Sequence, residues 1–301
     1  MARVDFHIHS TASDGVRTPR EIVSMARERS LSMISITDHD TMDGLLEAAE
    51  AARDTDVHFV PGIEFSVDLD PSGRTAHLLA YFPGADSGTL LEGPTPLTEA
   101  IDFVQGGRSR RNPRILEKLR TSGIYILMND VHELCDGDVV GRPHIAQAMV
   151  NSGYVGSMKE AFNRFLGKGR PAYVERDRLP IERAMDVIKG AGGLPVMAHP
   201  GYIPLDCDGL RALFHRLKDL GLAGVEVHYP THSRVTVQFL ASMAGELDLL
   251  VTGGTDYHGR DNEAATLGGT EDGFHIEMEQ VRDFINICIE SRREVVNGKA
   301  Q

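Results

Sequence analysis

Short apolar runs alternate with helical patterns along most of this chain, the signature of β/α units built on a mostly parallel sheet. Val4 to His9 reads as the first strand. Thr18-Pro19-Arg20-Glu21 then has the form of a capping box with proline in the first turn, and Ile22, Val23, Met25 and Ala26 supply an apolar face. Further strands are expected over Leu31 to Thr37, His58 to Phe65 and Thr75 to Phe82, with a helix over Leu45 to Ala52. Past Pro83 the rhythm changes. Gly84 to about Tyr173 shows helical stretches near Leu97 to Ser122, Pro143 to Asn151 and Ser157 to Phe165, separated by glycine and proline punctuation. Alternation resumes with helices over Ile181 to Ala191, Leu210 to Leu220, Val235 to Glu246 and Met278 to Arg292. Strands over Leu194 to His199, Gly224 to His228 and Leu249 to Gly253 lie between them. The count of about seven strands fits a closed or nearly closed α/β barrel made from residues 1–83 and 174–301, with 84–173 inserted as a helical lobe.

Charge narrows the partners. The 301 residues carry 31 basic and 44 acidic side chains, a net charge of −13, which argues against a broad footprint for duplex nucleic acid or an anionic membrane surface. A small anionic substrate remains compatible. No apolar run approaches the roughly 18 residues needed to span a bilayer, and the N-terminus runs straight into charged residues, so a cytoplasmic location is expected. Cys135, Cys207 and Cys288 are widely spaced with no C-x-x-C, which points to reduced thiols and away from a thiolate metal site.

The chemistry gathers at strand ends. His7 and His9 are two apart on one strand, so both imidazoles face one side while Ile8 packs on the other. Alone, that pair is as well explained by surface histidines, and so is the His39 of Thr37-Asp38-His39-Asp40. The pattern then returns at the same level: Glu64 ends the third strand, His77 lies in the fourth, His199 follows Leu194 to Ala198, and Asp256 with His258 follows the apolar run Leu249 to Thr252. Asp14 lies in the loop after the first strand. Six histidines and three carboxylates are too many for one tetrahedral ion. Nitrogen and oxygen donors without thiolate suit zinc, manganese or iron(II), in a centre of two or three ions spaced about 3.5–4 Å apart. Such centres hydrolyse phosphate esters, because the ions generate hydroxide at neutral pH and neutralise the transferring phosphoryl group.

These motifs, His7-x-His9, Ser13-Asp14-Gly15, Thr37-Asp38-His39, Gly62-Ile63-Glu64, His77, Ala198-His199-Pro200 and Thr255-Asp256-Tyr257-His258, together resemble the PHP (polymerase and histidinol phosphatase) superfamily over nearly the whole chain. The resemblance implies a distorted (β/α)7 barrel with an inserted helical lid lobe, and a trinuclear centre. Carried over by position, it implies one ion on His7, His9, Glu64 and Asp256, and a second on a bridging Glu64 with His77 and His199. A third falls on Asp14, His39 and His258. Two to three divalent ions, manganese, zinc or iron, are therefore expected. Asp14 stands where some members have histidine.

Within the superfamily, the insertion and Gly141-Arg142-Pro143-His144 resemble the branch of nucleoside 3′,5′-bisphosphate phosphatases and 5′-to-3′ exoribonucleases. That resemblance implies hydrolysis of a nucleotide phosphate monoester by a metal-bridging hydroxide. Glu64, Asp14 and His258 are the expected catalytic residues, with Asp14 and His258 near the leaving oxygen. Arg142, Arg170 and His144 are the expected substrate-binding residues, since arginine matches phosphate bidentately, and Lys168 is a weaker candidate. The expected partner is a small anionic nucleotide or a short single-stranded RNA end. A histidinol-phosphate phosphatase and a noncatalytic metal-binding module are the rivals. Glu226 and His228 share a strand face outside the ligand set. The basic run Gly107 to Arg114 reads as a solvated face able to guide a polyanion, outside the catalytic set.

Overall fold

The computed structural model describes residues 2–70, 72–135, 140–260, 265–270 and 273–298. Its strands are β1 (Arg3–Ile8), β2 (Leu31–Ile36), β3 (His58–Phe59), β4 (Gly62–Asp68), β5 (Thr75–Tyr81), β6 (Leu179–Pro180), β7 (Leu194–Met197), β8 (Gly224–His228), β9 (Leu250–Gly253), β10 (Ala265–Thr266), β11 (Gly269–Thr270) and β12 (Ile276–Glu277). The helices are α1 (Pro19–Glu28), α2 (Leu45–Ala52), α3 (Ser87–Leu90), α4 (Pro96–Thr121), α5 (Met128–His132), α6 (Arg142–Asn151), α7 (Met158–Ala161), α8 (Ile181–Gly190), α9 (Cys207–Asp219), α10 (Arg234–Glu246) and α11 (Arg282–Gly298). Helix α1 begins as its sequence requires. Thr18 Oγ1 accepts from the Glu21 amide and Glu21 returns the bond to the Thr18 amide, while Ile22, Val23 and Ala26 are buried.

Among the described residues, seven strands reach four residues or more, the number the sequence predicts. They hydrogen-bond as an α/β fold with two principal sheets, of order β12-β1-β2-β3 and β6-β4-β5-β7-β8-β9. Single parallel bridges, Ile8 with Tyr257 and His39 with Glu64, join the two sheets. The run His58 to Phe65 divides at Pro61, which has no N–H to donate to a ladder, so β3 pairs with β2 and β4 pairs with β5. Strand β5 is antiparallel to both β4 and β7. His77 therefore reaches the ligand-bearing end of the sheet from near the start of its strand, and Glu64 from within β4. Glu64 therefore does not end its strand as expected, and His77 lies within a strand as expected, but one that runs antiparallel to its neighbours.

Between β5 and β6 no strand occurs among the described residues. Ile115, Leu119, Ile145, Met149 and Leu166 belong to an apolar cluster of this helical region, separate from the cluster around β4, β5 and α8. Helix α4 serves both. Leu97, Ala100, Ile101 and Val104 in its first half pack into the main cluster, and Ile115 and Leu119 in its second half into the other. At 26 residues it is about 39 Å long.

Candidate metal centre and arginine cavity

Strand β1 delivers His7 and His9 fully buried. Their Nε2 atoms lie 3.3 Å each from Glu64 Oε2, and 3.4 and 3.0 Å from Asp256 Oδ1. Glu64 is itself fully buried and faces two sets of imidazoles. Its Oε2 is 2.8 Å from His39 Nδ1, while its Oε1 is 2.9 Å from His77 Nδ1 and 3.1 Å from His199 Nε2. Asp14 Oδ1 lies 3.2 Å from His258 Nε2 and 4.0 Å from His39 Nε2. All nine residues singled out in the sequence thus converge. Three overlapping groups have their donor atoms within 4.8 Å of one another: His7, His9, Glu64 and Asp256; His39, Glu64 and His77; and His9, Asp14, His39 and His258.

Among the described residues, several of these buried atoms have no hydrogen-bond partner: His7 Nε2, both ring nitrogens of His9, Asp14 Oδ1, His39 Nδ1 and Glu64 Oε2. Buried polar atoms left unmatched cost about 1–3 kcal/mol each, and shared cations satisfy them together. The all-nitrogen and oxygen donor set fits zinc, manganese or iron(II). Electrostatics agrees. Burial alone would raise the Glu64 carboxyl, but the imidazoles of His77, His39 and His7 outweigh it and hold Glu64 well below the ordinary range. Burial alone would lower His9, yet the close carboxylates of Asp256 and Glu64 lift it to about 10.

An outer set of contacts aims the donors. Glu226 is fully buried; its Oε1 is 3.0 Å from His7 Nδ1, and its Oε2 accepts from the His199 amide at 2.7 Å. The Tyr229 hydroxyl donates to Asp256 Oδ2 at 2.8 Å. Asp38 accepts from the Ser10 amide and from the Ser10 and Ser13 hydroxyls, pinning the loop that carries Asp14. The backbone is bent hard here: Asp40, His199 and Asp256 have φ of 57°, 27° and 54°. At Gly254 a Cβ would stand 2.2 Å from His7 Cβ, so the segment after β9 approaches β1 only as glycine.

A cavity of about 200 Å³ opens on the centre, sharing Asp14, His39 and His77 with it and walled by Arg108, Arg111, Arg142, Arg176 and Arg178. Buried Asp40 accepts from Arg108 Nε and Nη2 at 3.0 and 2.5 Å and from Arg176 Nη1 at 3.0 Å. Arg178 pairs with Asp68 and Glu175. Arg111 and Arg142 differ. Among the described residues, Arg111 hydrogen-bonds the neutral Asn112 amide oxygen, and Arg142 the Leu166 carbonyl while lying 5.7 and 5.6 Å from the Phe162 and Tyr173 rings. Burial, then the like charges of Arg108, Arg176, Arg142 and Arg178, disfavour the charged form of Arg111. A guanidinium stays protonated nonetheless, so the site calls for an anion.

Of the expected substrate-binding residues, only Arg142 lines this cavity. His144 is buried, its Nδ1 accepting from the Gly141 amide at 3.0 Å, and it faces a second cleft. Arg170 is exposed and lines neither, and Lys168 donates to the Gly73 carbonyl at 2.9 Å. The second cleft, about 1010 Å³, meets the centre at Asp14 and carries Arg17, Lys159 and Arg260. The reading of Gly107 to Arg114 as a solvated face is corrected: Arg110 and Arg114 are exposed, whereas Arg108, Arg111 and Asn112 are buried. The signal was periodicity. Leu97, Ala100, Ile101, Val104, Ile115 and Leu119 mark a helical stripe that runs through Arg108 and Arg111. Arg176 and Arg178 had no comparable signal.

Comparison with known proteins gives the family. The family model described as PHP domain matches residues 5–176. The chain is 32% identical over 274 residues to a 3′,5′-nucleoside bisphosphate phosphatase of Chromobacterium violaceum, covering 90% of this chain and 93% of that one. It is 32% identical over 257 residues to a 5′-3′ exoribonuclease of Haemophilus influenzae, covering 85% and 90%. A solved structure of an amidohydrolase from Chromobacterium violaceum, with bound sulfate and no metal, superposes with a TM-score of 0.81 at 30% identity, over 95% of this chain and 97% of that one. With the family model matching more than half of the chain and relatives 32% identical over most of it, the chain belongs to the PHP domain family.

Proposed function

We propose that this protein is a metal-dependent phosphoesterase that removes the 3′-phosphate of nucleoside 3′,5′-bisphosphates, adenosine 3′,5′-bisphosphate giving AMP and phosphate. The observation that carries the reading is the arginine cavity opening directly onto an eight-residue donor cluster, which His199 joins at 3.1 Å from Glu64. In it, His7, His9, Glu64 and Asp256 would hold one ion, Glu64 with His77 and His199 a second, and Asp14, His39 and His258 a third. These are manganese, zinc or iron, in a distorted (β/α)7 barrel capped by residues 84–173 as a lid lobe. Bound there, divalent ions supply charge neutralisation at the phosphoryl group and acidification of water. The chain's own residues do the rest. Asp14 and His258, 3.2 Å apart at the mouth, mark the side from which the leaving 3′-oxygen would take its proton. Arg111 and Arg142 bind the phosphate that does not react, and that remote binding energy favours a bisphosphate over a monophosphate.

The test is steady-state kinetics of the manganese-loaded enzyme on adenosine 3′,5′-bisphosphate, adenosine 3′-monophosphate and histidinol phosphate. The bisphosphate is expected to lead by tenfold or more in kcat/KM. Arg111→Ala should cut kcat/KM about 10- to 100-fold on the bisphosphate, the loss of a charge-assisted hydrogen-bond pair, and leave the monophosphate little changed. Equal losses on both would refute the assignment. A second reading, a 5′-to-3′ exonuclease on short RNA, is favoured by the cleft beyond Asp14, whose Arg17, Lys159 and Arg260 suit a departing strand. Turnover of 5′-phosphorylated trinucleotides that falls with Lys159→Glu would support it.

A further inference from the structure

We infer that Tyr202 is the stacking wall of a nucleobase seat, so that the donor cluster and the two recesses that meet at His77 receive the three arms of the ribose. The inference rests on the bisphosphate reading. A third recess of about 250 Å³ is lined by Thr75, Ala76, His77, Ala198, His199, Tyr202 and Ile203. It shares Thr75, Ala76 and His77 with the arginine cavity, and His77 belongs as well to the donor cluster. A nucleoside 3′,5′-bisphosphate branches in the same way, since its ribose carries a phosphate at C3′, a second at C5′ and the base at C1′. The donor cluster takes the reacting phosphate and the arginine cavity the other. The remaining recess carries no arginine or lysine, and Ala76, Ala198, Ile203 and an aromatic ring supply its apolar surface. That lining suits the one arm that is flat and uncharged.

The local backbone presents the ring. His199 turns the chain at φ 27°, sending its own imidazole to Glu64 and releasing the short turn Pro200–Tyr202 toward the mouth. Tyr202 receives edge contacts from His199 and Tyr229 at 5.5 and 5.7 Å, and its hydroxyl meets Thr231 Oγ1 at 3.0 Å. His232 Nε2 accepts from the Gly201 amide, fixing the turn from below. The residue is nevertheless 61% exposed, unusual for an aromatic side chain held on several sides. Base stacking on such a ring is sequence-tolerant, because every base has a π face.

The experiment compares Tyr202→Ala and Tyr202→Phe on adenosine 3′,5′-bisphosphate and on 1-deoxyribose 3,5-bisphosphate, which lacks the base. AMP binding by calorimetry, without added metal, is measured alongside. The alanine variant should raise KM on the nucleoside substrate about tenfold with kcat within twofold, leave the baseless substrate unchanged, and weaken AMP about tenfold. The phenylalanine variant should match wild type. An equal KM rise on both substrates, no rise on either, or unaltered AMP binding overturns the seat. So does a base-dependent KM rise in Lys159→Ala, which would put the base in the second cleft. A wild-type enzyme inactive on both bisphosphates refutes the bisphosphate reading, and the AMP measurement then decides the seat alone.

Discussion

Asp40 holds two guanidiniums at the rim of the arginine cavity and has no exposed surface of its own. Burial alone would raise its carboxyl, but Arg176 and then Arg108 outweigh that and hold it well below the usual range. A carboxyl depressed on folding contributes stability that is complete above its unfolded value of about 3.9 and is lost as pH falls from there through the folded value. Asp40→Asn should therefore lower stability by about 3–5 kcal/mol at neutral pH in chemical denaturation, since it leaves buried arginines uncompensated. The same variant should show a shallower loss of stability on acidification than wild type. Glu226 acts one layer outside the donors, on His7 and the His199 amide. Glu226→Gln should weaken metal binding about 10- to 100-fold in competition with a chelator, and an unchanged affinity would remove it from the centre. In the sequence Asp40 is one acid among several in Thr37-Asp38-His39-Asp40. Its role depends on Arg108 and Arg176, 68 and 136 residues away.

Elements whose register follows from local chemistry were readable in advance: the α1 capping box, the extent of α4, and β8 residue for residue. That the nine polar residues would meet at one end of the strands was readable too, because each sits beside an apolar run. The antiparallel course of β5 was not, since strand direction is set by partners rather than by the strand's own residues. The arginines of α4 were misjudged because charge was weighed ahead of helical position. Close packing between elements was equally invisible. Gly254 lets the segment after β9 touch β1, and Gly254→Ala would put a methyl 2.2 Å from His7 Cβ. That variant should cost about 1–3 kcal/mol in thermal or chemical unfolding and lower the bound metal per chain measured by elemental analysis. Full metal content would show that the contact relaxes without disturbing His7.

At the scale of the whole molecule, a chain of net charge −13 concentrates five arginines and the proposed ions on one mouth. Cations that bind only the folded chain stabilise it by mass action. Chelation should accordingly lower the thermal midpoint, and restoring manganese or zinc should raise it again; a midpoint indifferent to chelator would argue against a resident metal. Among the described residues no helix is long and apolar enough to cross a membrane. Helix α4 sets how the mouth can move. Its first half is rooted in the main cluster up to Val104, and Arg108 and Arg111 follow within two turns, ahead of Pro113. Pro113 leaves the Ser109 carbonyl without its helical donor, so a bend in this rod falls most easily in the turn that carries Arg111. Arg142 opens α6, which packs with the outer half of α4 in the second apolar cluster, so a tilt of that half would carry Arg142 with it and loosen the anion seat in the same movement.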